Sequence, residues 1–119
     1  MAAERRNSLP LLKRARIEVY LPEAGSSAYA RLERAFQTEF LETFGGCTVI
    51  KGARGLYLDS SGERDIDKIS LIYTDTPFDF DGHFDEIAAY ADQLRDALLT
   101  ASEEESILIA VHAIYHSLP

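Results

Sequence analysis

The sequence predicts an α+β fold, a four-stranded antiparallel sheet with two helices on one face, and three observations predict it. Apolar residues alternate at period two in four stretches and recur at three-to-four spacing in two longer ones. The stretches follow one another as strand, helix, strand, strand, helix, strand. At 119 residues, 46% hydrophobic and 27% charged, the chain has the length and balance of one domain with a single core.

Residues 1–11 lack periodicity and end in Leu9-Pro10-Leu11, so they are expected to form a flexible basic arm before a single domain over 12–119. Arg14 to Leu21 alternates, with Ala15, Ile17, Val19 and Leu21 on one side and Arg14, Arg16, Glu18 and Tyr20 on the other, which is the pattern of a half-buried strand. Ser26 or Ser27 can cap a helix carrying Tyr29, Leu32, Phe36 and Phe40 on one face, and Gly45-Gly46 ends it. Cys47 to Lys51 is a short β-branched strand, the Gly52–Gly55 segment a bulge or bend, and Leu56-Tyr57-Leu58 resumes the strand. Asp59 to Glu63 supplies turn chemistry. Ile66 to Thr74 returns as the hairpin's second strand, with Ile69, Leu71 and Tyr73 expected in the core and Ser70, Ile72 and Thr74 on the outer face. Asp75 to Asp81 connects to a second helix, where Phe84, Ile87, Ala91, Leu94 and Leu98 form the apolar stripe. Two strand-helix-strand units with right-handed crossovers and helices on one face make the ferredoxin-like βαββαβ sandwich, in which the last strand lies at the sheet edge beside the first.

That last strand, Ser106 to His116, is apolar on both faces. Ile107, Ile109, Val111, Ala113 and Tyr115 alternate with Leu108, Ala110, His112, Ile114 and His116. The sheet's own core needs one face only. The second face calls for another subunit, a protein partner or a small ligand, because an exposed apolar edge strand invites aggregation. A homo-oligomer is expected.

The net charge of −8 is unevenly spread. Residues 1–16 hold five basic residues and one acidic, net +4; the rest holds seven basic and nineteen acidic, net −12. Such a body repels nucleic acid, so no nucleic-acid partner is expected, although the basic arm could touch phosphate. No apolar run approaches the roughly 20 residues of a membrane span, and no apolar segment follows Arg5-Arg6 to make a secretory signal, so cytoplasmic residence without membrane association is expected. A single cysteine, Cys47, excludes an internal disulfide and a cysteine-based metal site.

No reaction-naming motif is present. His112 and His116 share a strand face but stand about 13 Å apart and cannot bind one metal. Placing Gly82 at the sixth position of a calcium loop would put Pro77 and Ala88 at positions needing carboxylates, so an EF-hand is excluded; Asp79 or Asp81 instead caps the second helix. Gly45, Gly46, Gly52 and Gly55 follow a helix and enter a hairpin, opposite to a dinucleotide fingerprint. No metal and no cofactor are expected.

The segment from Phe44-Gly45-Gly46-Cys47-Thr48-Val49 through Gly55-Leu56-Tyr57, with Lys68 to Phe78 and the closing Tyr115-His116-Ser117, resembles a family of small uncharacterised bacterial proteins. The resemblance implies a ferredoxin-like scaffold and carries no catalytic residue with it.

The outer sheet face is therefore the candidate ligand or interface surface, formed by Glu18, Tyr20, Ser70, Ile72, Thr74, Leu108, Ala110, His112 and Ile114. A non-catalytic binding or assembly module, oligomerising through this face and the last strand, is the leading expectation. The alternative is a small dimeric α+β-barrel-type enzyme in which His112 moves a proton and Tyr20 orients a carbonyl or hydroxyl of an apolar substrate, between sheet and helices or between subunits.

Overall fold

The computed structural model describes residues 12–23, 27–102 and 107–116. The expected basic arm, the Ser26 cap and the Glu103-Glu104-Glu105 run lie outside the described residues. Strands β1 (Leu12–Pro22), β2 (Thr48–Leu58), β3 (Arg64–Asp75) and β4 (Leu108–His116) form one sheet in the order β2-β3-β1-β4. All neighbouring strands run antiparallel. Helices α1 (Ser27–Phe44) and α2 (Phe84–Ser102) pack together on one face, giving the ferredoxin-like sandwich.

The odd-numbered residues of β1, Ala15, Ile17, Val19 and Leu21, are sealed against Leu32, Phe36 and Phe40 of α1 and Ile87 of α2. Helix α1 stops where Gly45 adopts φ 85° and donates its N–H to the Leu41 carbonyl, a left-handed cap that a side chain would oppose. Asp79 accepts a hydrogen bond from the Gly82 N–H in the turn before α2, at 2.7 Å, while Asp81 pairs with Lys13. Phe84 lies in the first turn of α2 and is 46% exposed, so it caps the apolar stripe without joining the core. No helix among the described residues is long and apolar enough to cross a membrane.

β3 corrects the sequence expectation by one residue. Ser70, Ile72 and Thr74 face the helices, whereas Ile69, Leu71 and Tyr73 share the outer face with Tyr20 and Glu18. The register decides it, since Leu21, Val19 and Ile17 of the core stand opposite Ser70, Ile72 and Thr74. Burying two hydroxyls is tolerable because each is bonded: Ser70 donates to Glu23 at 2.9 Å and Thr74 to the Gly46 carbonyl at 2.7 Å.

The β2–β3 hairpin extends beyond the helices, and Leu56, Tyr57, Leu58 and Ile66 near its tip are exposed. Asp59 closes the turn by accepting from the Ser61 and Glu63 N–H groups, both at 2.9 Å. Lower down, pairing passes from Ile50 opposite Leu71 to Ala53 opposite Ile69, a one-residue bulge in which Gly52 takes φ 77°.

Candidate functional site

The outer sheet face carries no helix, and its polar residues are organised around one carboxylate. Glu18 and Tyr20 are two apart on β1 and so share that face, while β4 brings His112 beside them through the pairing of Arg16 with His112 and Glu18 with Ala110. The Tyr20 hydroxyl donates to Glu18 Oε2 at 2.6 Å, and His112 Nε2 lies 2.7 Å from Glu18 Oε1. Each carboxylate oxygen thus has its own partner. The Glu18 side chain is only 13% exposed and that of His112 43%.

Burial opposes ionisation of Glu18, but hydrogen bonds from Tyr20 and His112 and the charges of His112 and Arg16 outweigh it and hold its carboxyl below the ordinary value. The hydrogen bond to this carboxylate, aided by burial, pushes the Tyr20 phenol up, so it remains a donor. An ionised carboxylate only accepts, hence Nε2 of His112 carries a proton and donates to Glu18, and Nδ1 is turned away from that contact. Nδ1 has no partner among the described residues.

A second polar unit lies two residues along β1. Arg16 grips Asp75 through two parallel bonds, Nε to Oδ1 at 2.6 Å and a terminal nitrogen to Oδ2 at 3.0 Å, and stacks on the Tyr73 ring at 4.0 Å. Around both units the face is apolar: Leu71 and Ile69 from β3, Ala110, Ile114 and the 61% exposed Leu108 from β4.

The structure therefore brings together Glu18, Tyr20, Leu108, Ala110, His112 and Ile114, as the sequence predicts, and places Ser70, Ile72 and Thr74 on the opposite side of the sheet. Asp75 and Tyr73 escaped the sequence reading because Asp75 was assigned to a connector and Tyr73 to the core. The signal that could have found Asp75 is its charge complementarity to Arg16, which it faces directly in the β1–β3 pairing.

A pocket of about 230 Å³ does lie on the helix side, among Phe44, Phe78, Ile87, Tyr90 and His83. Burial, with a hydrogen bond to Glu39, pushes the Tyr90 phenol up. Tyr20 and His112 point away from it. The expectation that these two could act on a substrate between sheet and helices is thereby corrected, since side chains of one strand parity cannot reach the other face. Among the described residues no group of three or more metal-ligating side chains converges.

Solved structures resemble this chain, three of them as follows. A phage SAM lyase in complex with S-methyl-5'-thioadenosine matches with TM-score 0.51 at 11% identity, covering 88% of each chain. CutA1 from Oryza sativa matches with TM-score 0.49 at 18% identity, over 87% of this chain and 82% of that one. CPII, a nitrogen regulatory PII-like protein from Thiomonas intermedia K12 bound to ADP, AMP and bicarbonate, matches with TM-score 0.47 at 19% identity, over 92% and 98%. The likeness is one of fold. No family model and no curated relative matches the sequence.

Proposed function

We propose that the protein is a non-catalytic binding and assembly module that forms homo-oligomers through its outer sheet face and β4. The observation that carries this reading is the bare face itself: both helices pack on the other side, leaving Ile69, Leu71, Leu108, Ala110 and Ile114 side by side with no covering layer from the described chain. Among the described residues β4 is also an edge strand, paired on one side only. The Glu18 cluster suits a polar-spotted interface, because Tyr20 and His112 already occupy both carboxylate oxygens and leave His112 Nδ1 for a second copy to meet. Sedimentation at micromolar concentration should show a dimer or larger species. A monomer at that concentration overturns the reading.

The Glu18–His112 contact favours a second reading. A histidine base needs a neighbour to orient it, and Glu18 holds His112 Nε2 while leaving Nδ1 open, with the Tyr20 hydroxyl beside the same carboxylate. In this reading His112 accepts a proton from a small apolar substrate bound on the sheet face or between subunits. A thermal-shift screen of small carbonyl and hydroxy compounds, followed by turnover assays, decides between the two. As a base, His112 predicts a stabilising compound whose turnover falls about a hundredfold in His112→Gln with the fold intact. As a structural residue it predicts modest loss of stability in that variant and no turnover by the wild type.

A further inference from the structure

All four strands contribute to a pocket of about 220 Å³ at one end of the outer face, lined by Leu108 of β4, Tyr20 and Pro22 of β1, Ile69 and Asp67 of β3, and Tyr57 of β2. Its floor is apolar, its walls include two phenol rings, and its one charged group is a carboxylate. Among the described residues Asp67 has no hydrogen bond or ion pair. It stands directly opposite Gly55 in the hairpin.

Gly55 carries an independent indication that the pocket is shaped. A Cβ built there would lie 2.4 Å from the Tyr57 hydroxyl and 2.6 and 2.7 Å from two ring carbons, so the ring is folded flat over Gly55 and would swing aside for any side chain there. With Gly55 in place the ring lies over the strand beside Asp67. Any larger residue there would displace it.

We propose that this pocket binds a small alkylated ammonium ion. Aromatic faces beside a carboxylate attract a cation through both the ring quadrupole and the full negative charge. A primary ammonium gains most from three converging acceptors, whereas half of this lining, Pro22, Ile69 and Leu108, offers no polar atom at its side chains. An ammonium wrapped in methyl groups sheds its water more cheaply and fills the apolar walls. The volume lies below the roughly 300–1,000 Å³ typical of drug-sized sites, which favours a compact cation over a nucleotide. The proposal deepens the reading of the sheet face as a binding surface, and does not require that face to assemble.

Choline and its uncharged isostere 3,3-dimethylbutan-1-ol are the probes, titrated by NMR into the wild type and into Ile114→Asp, Asp67→Asn and Gly55→Ala. Ile114 lies six residues from Leu108 along β4, about 20 Å away, so Ile114→Asp reports on the pocket whether or not the chain assembles. Choline should shift Tyr57 and Leu108 saturably in both proteins, with the isostere about tenfold weaker. Asp67→Asn, an exposed change that leaves the fold intact, and Gly55→Ala, which displaces the ring, should each weaken choline about fivefold or more. Equal binding of choline and isostere, or choline binding unchanged in Asp67→Asn, overturns the proposal. So does an absence of shifts in Ile114→Asp that retains a native spectrum.

Discussion

Phe40→Ala is expected to cost about 3–5 kcal/mol of stability, a large part of the roughly 5–15 kcal/mol that holds a domain of this size together. Phe40 is fully buried at the centre of a run of rings, 6.1 Å from Phe36 and 6.3 Å from Phe44 by centroid, and Phe44 in turn meets Tyr90 edge-on at 5.7 Å. Removing the ring leaves a cavity that two rigid neighbours on the same helix cannot fill. Below it lie the sheet residues that seal the core, so collapse is blocked on that side also. The melting temperature should fall on the order of ten degrees or more, whereas Phe40→Leu, which keeps most of the volume, should cost about 1 kcal/mol. A calorimetric midpoint within two or three degrees of wild type in Phe40→Ala would show that α1 does not close this core.

Ile114→Asp is expected to abolish assembly while leaving the protomer folded. Ile114 stands opposite Arg14 on the outer face, and in the free protomer the introduced carboxylate pairs with that guanidinium in water. Covering the pair with a second copy removes both charges from solvent, which costs several kcal/mol that an apolar interface does not return. Sedimentation should therefore report a protomer-sized species with the circular dichroism of the wild type. An unchanged oligomer size means that Ile114 is not covered in the assembly.

The strands and helices were legible wherever burial is one-sided. β1 alternates four apolar residues with Arg14, Arg16, Glu18 and Tyr20, and the structure keeps that division without exception. α1 was equally clear, since Leu32, Phe36 and Phe40 sit on one stripe and all three are buried. β3 was not. Its Ile69, Leu71 and Tyr73 are more apolar than Ser70, Ile72 and Thr74, so local hydrophobicity selects the wrong face when a second, uncovered face is itself apolar. What overrides it is a pair of hydroxyls bonded to Glu23 and the Gly46 carbonyl, partners that lie 47 and 28 residues away in sequence. The candidate site shows the same division. Glu18, Tyr20 and His112 were assigned to one face from parity alone, but that one carboxylate joins the other two depends on the β1–β4 register, which sequence spacing does not contain. Asp67 was hidden by the same register of β3, and Tyr57 for a further reason, because its face depends on the bulge in β2 as well.

That bulge makes the hairpin's surface chemistry depend on a reading frame of one amino acid. Below it Thr48 and Ile50 look outward; beyond it the extra residue reverses the alternation, and Ala53, Gly55 and Tyr57 do so instead. A regular strand run on from Ile50 with no bulge would carry Leu56 and Leu58 on the outer face and turn Tyr57 behind it, so the extra residue is what holds Tyr57 outward. Straightening the bulge with no residue lost would thus exchange an aromatic, acid-lined recess for a greasy ridge, with every side chain unaltered. The glycine at φ 77° is where the backbone takes up that extra residue, and so where one sequence is set to present its aromatic face rather than its leucine one.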